Sequence, residues 1–389
     1  MLPYSSISLP YLSWPTILAS GTVDIGAYEY GWRKENPSIV VTTLEDRDDP
    51  YDGLISLREA IKYANPGDTI TFAPNLYKYG ELTGIFLVPA QDATITLELG
   101  ELIIDKSITI DASNLLREVM PDPLEDRRGA VITQVPGITI DAKGQSRVFN
   151  IAARTTVELV GLEVTGGNVN GSGVNGYGGG IFVNNNSTLA VTYCAISDNV
   201  ASSSGGGIYV NNNSILTITY CEISKNVAPF SGGGIYNAGT LIVTTSAISE
   251  NSLSDASTGG GIYSTSSLTV TNSTISGNTA TDSNGGGIYH EGVRRTLTVN
   301  NSTISGNTAR YGGGIYSRLT LLTLVNSTIS DNIASYQGGG IYSSTAGTLI
   351  MNSTISGNTA EGDAYYGGGG GIQHTSSSPL TVKRTSQQP

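Results

Sequence analysis

Eight times in this chain a glycine run leads into an apolar residue and then, in most cases, an aromatic one. The series runs Gly-Gly-Gly-Ile181-Phe182, then Ile208-Tyr209, Ile235-Tyr236, Ile262-Tyr263, Ile288-Tyr289, Ile315-Tyr316, Ile341-Tyr342 and finally Ile372-Gln373. The isoleucines are 27, 27, 27, 26, 27, 26 and 31 residues apart. A fixed period in that range means one supersecondary unit stacked on copies of itself, each copy burying the apolar face of the next.

Within one unit, Leu268 and Val270 alternate with threonines, the period-two pattern of a strand with one buried face. Parity breaks at Asn272, because Ser273 and Ile275 are the next inward pair, and a parity break without a hairpin turn is a corner. Gly277-Asn278 marks the next corner. Each unit therefore reads as three short strands joined by bends. Ile196, Ile223, Ile248, Ile275, Ile304, Ile329 and Ile355 form one inward column, and Leu189, Leu216, Leu241, Leu268, Leu297 and Leu322 another. The expected fold is all-β: a right-handed parallel β-helix of about 27 residues per coil, in which each strand pairs with its copy at about 4.8 Å.

Asn199, Asn226, Asn251, Asn278, Asn307, Asn332 and Asn358 fall at one corner of successive coils. A column of amides at strand spacing lets each donate to one neighbour and accept from the other. The Asn-Ser-Thr triplets also match a glycosylation acceptor, but the coil already explains their repetition. Cys194 and Cys221 hold one repeat position in neighbouring units, a position that serine holds at Ser273 and Ser302. They read as buried thiols in a serine's place, with a strained disulfide between coils as the alternative.

Charged residues make up 13% of the chain and the formal net charge is -12. With no basic stripe to release phosphate counterions, a nucleic-acid partner is excluded, and an anionic membrane surface with it. Met1 to Ser20 has no Lys or Arg and is broken by Pro3, Pro10 and Pro15, a poor signal peptide, and no apolar segment is long enough to span a bilayer. No cofactor is implied.

A stack has two open ends that need covering. Ile55 to Asn65 supplies an N-terminal cap: Ser56 and Glu59 have capping-box spacing, Leu57, Ala60, Ile61 and Ala64 follow at helical intervals, and Pro66-Gly67 stops the helix. Val41-Thr-Thr-Leu-Glu-Asp, Ile55-Ser-Leu-Arg-Glu-Ala-Ile61 and Asp68-Thr-Ile-Thr-Phe72 resemble the CSLREA-type lead-in motif of bacterial right-handed parallel β-helix proteins, with Ile55 in place of the usual cysteine. The glycine-rich repeats are similar to those of polymorphic outer-membrane and choice-of-anchor β-helix proteins. The resemblance covers about residues 38 to 375 and implies an exported, surface-associated solenoid with no catalytic residues to transfer.

The expected organisation is residues 1–37 as the tail of a preceding unit with a linker, 38–72 as lead-in and capping helix, 73–177 as irregular coils with an inserted loop at 115–137, and 178–389 as regular coils with a truncated C-terminus. Gly21 to Tyr30 looks like a closing segment that here precedes the lead-in motif, which is why the chain reads as part of a tandem array.

Polysaccharide lyases and glycosidases also use parallel β-helices, so carboxylates matter. Asp198 and Glu250 share one outward column two coils apart, roughly 9.6 Å, at the upper edge of the separation for inverting glycosidases. Lys225 stands between them, which favours a solvated charge ladder. Asp46, Asp48, Asp49 and Asp52 have the alternating look of a calcium loop, but no bidentate Glu follows at the required distance. His290 and His374 stand in no metal or nucleophile pattern and read as surface residues.

If each isoleucine after the glycines points inward, its neighbour points outward. Phe182, Tyr209, Tyr236, Tyr263, Tyr289, Tyr316 and Tyr342 then make one external column that could stack on sugar rings, or on itself for stability alone. The functional expectation is a monomeric, non-enzymatic, secreted or cell-surface β-helix, an adhesin or spacer contacting extracellular glycans or a host or matrix surface. The alternative is a polysaccharide-degrading enzyme on the same scaffold.

Overall fold

The computed structural model describes residues 34–76, 93–119, 133–171, 173–255, 257–344, 347–362 and 368–383, with strand pieces at Leu82–Thr83, Phe86–Leu87 and Ser386–Gln387. The described residues fall into two compact units, 34–36 with 49–54, and the remainder from residue 37 onward. The closing segment expected at Gly21 to Tyr30 lies outside the described residues.

The larger unit is a parallel β-solenoid. Among the described residues three sheets run along it, of 12, 11 and 10 strands, and within each the neighbours are successive coils. The predicted columns are hydrogen-bonded registers: Ile248 pairs with Ile275 and Ile275 with Ile304, while Leu241 pairs with Leu268 and Leu268 with Leu297, all in parallel and all fully buried. Four or five buried aliphatics cannot offset the ordering entropy of a coil on its own, so the stacked copies above and below supply the rest of the core. From Val227 onward a fourth sheet of 6 short strands, Val227–Ala228 to Thr359–Ala360, follows the asparagine corner. Its fully buried residues are the small Ala228, Ala280, Ala309 and Ala334, with Leu253 partly buried in the same column.

Corners turn on residues with left-handed backbone. In the Gly-Gly-Gly run the first glycine has this conformation, for example Gly259 at φ +76°. The third meets the asparagine corner of its own coil: a Cβ on Gly261 would lie 2.7 Å from the Gly287 carbonyl oxygen and 2.9 Å from Asn278 Cγ. The run is therefore one turn residue followed by residues without room for a side chain.

The cap has the expected form. The helix Leu57–Tyr63 begins at Ser56 with both halves of a capping box, and Leu57, Glu59, Ala60 and Ile61 are buried. Each residue of Ser-Leu-Arg-Glu-Ala has a local task. Arg58 grips Asp46 through Nε and Nη2 at 2.8 and 2.9 Å and donates to the Gly100 and Glu101 carbonyls, tying the helix to a coil. The insertion expected at 115–137 leaves and returns as an antiparallel pair, Arg117–Val119 with Thr133–Val135.

Candidate functional site

The third sheet carries the aromatic column. Its strands start directly after the left-handed glycine corner, so parity sends Ile262 inward and Tyr263 outward, and the register Tyr236, Tyr263, Tyr289, Tyr316, Tyr342 follows from the pairing of coils. The rings stack face to face. Centroid separations from Phe182 through Tyr209, Tyr236, Tyr263, Tyr289 and Tyr316 to Tyr342 are 5.6, 4.5, 4.9, 5.2, 5.0 and 4.9 Å, with interplanar angles of 21° or less. Tyr177 adds a ring 4.3 Å from Tyr209. Phe182, Tyr209 and Tyr289 are buried and the others half-buried. Most ring faces are thus occupied by neighbouring rings, and the column presents edges and hydroxyls outward.

At the Phe182 end lies Arg147, only 5% exposed, with its guanidinium carbon 5.1 Å from the ring centroid. It donates to Glu101 and to the Val174, Tyr177 and Gly178 carbonyls. Midway along, Glu291 accepts from the hydroxyls of Tyr263 and Tyr289 at 3.0 and 2.9 Å, and Arg318 stands 3.6 Å from the same carboxylate. Burial raises the phenol pKa of Tyr209, Tyr236, Tyr263, Tyr289 and Tyr316, and the Glu291 charge raises Tyr263 and Tyr289 further.

Behind the rings is a feature that the sequence reading placed on the surface. The third residue of each of these strands points inward: Ile104, Ile151, Val183 and Val210 in the early coils, then Asn237, Ser264, His290, Ser317 and Ser343, every one fully buried. His290 is therefore core and His374, its column neighbour beyond Ser343, is half-buried; neither is a surface residue. The inward strand parity continues one residue past the tyrosine. These side chains bond mainly to nearby turn groups. Asn237 donates to the Gly239 carbonyl at 2.8 Å and Ser317 pairs with Thr320 at 2.7 Å. His290 Nε2 meets the Ser266 carbonyl at 2.7 Å, while Nδ1 is buried without a hydrogen-bond partner. Burial lowers the His290 pKa to about 4.

Asp198 and Glu250 occupy the left-handed corner before the asparagine column, at φ 55° and 56°, together with Lys225, Gly277, Gly306, Asp331 and Gly357. They are successive corner residues two coils apart on one column. Of the acidic loop, Asp46 is buried and its Oδ2 also accepts from the Glu98 and Leu99 amides, each at 2.9 Å. Asp48 pairs with Lys62 at 2.6 Å, and Asp49 and Asp52 accept from the amides of Tyr51 and Leu54. Among the described residues no group of three or more His, Cys, Asp or Glu is placed to hold a metal ion.

Cys194 and Cys221 are free, buried thiols within the serine ladder: the Cys194 amide donates to Cys221 Sγ at 3.3 Å and the Cys221 amide to Ser246 Oγ at 3.0 Å. Burial raises the Cys194 pKa well above its ordinary value.

Residues 206–385 match the family described as right handed beta helix region, and the stacked parallel coils give the chain the fold of a right-handed parallel β-helix. The chain matches none of the curated proteins. A solved structure described as ORF18 of Geobacillus virus E2 is similar at 9% identity over 90% of this chain, with a TM-score of 0.41. The chain spans 60% of the length of that protein. Among the described residues no helix is long and apolar enough to cross a membrane.

Proposed function

We propose that this β-helix is a non-enzymatic extracellular binding or spacer protein whose tyrosine column contacts extended glycans. The observation that carries the reading is the single file of rings at 4.5 to 5.2 Å from Tyr209 to Tyr342, which sets one phenolic edge per coil along a rigid sheet. Because most ring faces are taken, the contact is made by hydroxyls and ring edges, each donating to or accepting from a sugar hydroxyl, with Glu291 and Arg318 beside the strip. A linear polymer suits such a surface, since weak contacts repeated along one backbone add through effective concentration. Asp198 and Glu250 sit at left-handed turn positions that other coils fill with Gly277, Gly306 and Gly357 or with Lys225 and Asp331, which supports a corner role for them rather than catalysis.

The test is binding of the full chain to a panel of extracellular polysaccharides, compared with a variant carrying Tyr236→Phe, Tyr263→Phe and Tyr316→Phe. The substitutions keep the stack and remove the hydroxyls. Retention of the native chain and loss of at least about tenfold in the variant are expected; equal retention would exclude the column. Release of reducing ends from any of these polymers, abolished by Glu250→Gln, would establish the enzymatic alternative.

A further inference from the structure

A carboxylate shared by two stacked phenols is a chemical site in its own right, independent of any glycan. Tyr263 and Tyr289 lie one coil apart with centroids at 5.2 Å and planes 7° from parallel, and both hydroxyls donate to Glu291. We infer that Tyr263 and Tyr289 form an oxidative cross-linking site: one-electron oxidation by a haem peroxidase and hydrogen peroxide joins them into an intramolecular dityrosine that staples adjacent coils.

A phenol gives up an electron most readily when its proton has somewhere to go at once. Glu291 stands at hydrogen-bond distance from both phenols, its side chain is 30% exposed, and Arg318 stands 3.6 Å from the same carboxylate. In the step, the peroxidase takes one electron from each phenol, and each hydroxyl proton passes through Glu291 to solvent. The two phenoxyl radicals join through a carbon–carbon bond between ring positions ortho to oxygen. The proton on each of those carbons then moves to the oxygen of its own ring, which restores two phenols, and the two electrons and two hydroxyl protons released earlier reduce the peroxide to two waters. The oxidant need not touch Tyr289, which is 5% exposed, because Tyr236 and Tyr316 continue the stack on either side and are half-buried.

The molecule contains its own comparison. Tyr193 and Tyr220 stack with centroids at 5.0 Å and planes 7° apart, and Tyr220 is 50% exposed. That pair has the spacing and better access; the carboxylate arrangement is what distinguishes Tyr263 and Tyr289.

The experiment treats the full chain with a haem peroxidase and limiting hydrogen peroxide, isolates the monomer, and maps dityrosine by fluorescence and by peptide mass. The expected product is two hydrogen atoms lighter than the starting chain, with the peptides of Tyr263 and Tyr289 joined. Tyr263→Phe, which keeps the ring and removes the hydroxyl, should abolish that product. Glu291→Gln, which keeps an acceptor oxygen but cannot carry the proton, should lower its yield about tenfold or more. Circular dichroism of each variant checks that the β-helix is intact. Unchanged yield in Glu291→Gln, coupling at Tyr193 and Tyr220 equal to or above that at Tyr263 and Tyr289, or coupling only between molecules would overturn the assignment.

Discussion

Asn278 donates through Nδ2 to Oδ1 of Asn307 at 3.0 Å, one coil along, and both side chains are fully buried. The same amide nitrogen reaches the Ile248 carbonyl at 2.9 Å, and its Oδ1 accepts from the backbone N–H and the Nδ2 of Asn251, each at 3.0 Å. One side chain thus satisfies buried groups on three consecutive coils. Asn278→Ala should destabilise the fold by roughly 3 to 5 kcal/mol, since several buried donors and acceptors lose partners at once. Ser276→Ala, on the half-exposed face of the preceding strand, should cost less than about 0.5 kcal/mol. Denaturant unfolding of the two variants checks the contrast.

The glycines divide by the same geometry. Gly261→Ala places a Cβ against the Gly287 carbonyl and Asn278 and should cost about 3 kcal/mol or more. At Gly277 the nearest atom to a Cβ is 3.8 Å away, so Gly277→Ala meets only the left-handed backbone penalty of about 1 to 2 kcal/mol. Glu250 already bears that penalty at φ 56°, and Glu250→Gly should stabilise the chain by up to about 1 kcal/mol. Comparison of unfolding midpoints decides both.

His290 makes stability depend on acid. Its folded pKa, about 4, lies below the ordinary value of 6.5, so between those values the unfolded chain binds the proton and the folded one does not. The stabilisation from a neutral His290 is whole above pH 6.5 and is lost as pH falls toward 4, on the order of 3 kcal/mol in all. Ser264 and Ser317 hold the neighbouring positions of its column. His290→Ser should therefore flatten the fall relative to the native chain in unfolding curves taken from pH 7 to pH 4, with the carboxylates common to both cancelling in the difference.

The tyrosine column titrates in the opposite direction. The phenols of Tyr209, Tyr236, Tyr263, Tyr289 and Tyr316 are raised above the ordinary value of 10, chiefly by burial. The neutral phenols contribute stability that is complete below that value and fades as pH rises through it, because the unfolded chain ionises first. Phenolate absorbance from Tyr209, Tyr236, Tyr263, Tyr289 and Tyr316 should therefore appear only as strand circular dichroism is lost. A single early transition would contradict the stacked arrangement.

The parts of this fold legible in sequence are those where one residue type repeats at one place. Ile275, Leu268 and Asn278 each announce a column because a coil allows only one solution there, and Ser56 with Glu59 announces a cap. The inward polar column was hidden because the position changes chemistry along the chain, from Val210 to Asn237 to Ser264 to His290, and a serine two residues after isoleucine looks like a turn. Parity alone would have found it. The fourth sheet was missed because Thr279 and Ala280 follow so closely on a corner that they read as loop. The outward position of Tyr263 was plain, whereas the occupation of its faces by Tyr236 and Tyr289 depends on ring torsion, about which sequence is silent.

Every functional statement rests on successive coils lying one strand apart in parallel register, as Ser276 does on Ser305, Ser305 on Ser330 and Ser330 on Ser356. Spin labels at Ser197 paired in turn with Ser276, Ser305, Ser330 and Ser356 measure this directly by dipolar spectroscopy. The distance should grow by a constant increment of about 4.8 Å per coil, from roughly 14 Å at three coils to roughly 29 Å at six. Distances that fail to increase along the series, or that alternate between near and far, would contradict the stacked coil.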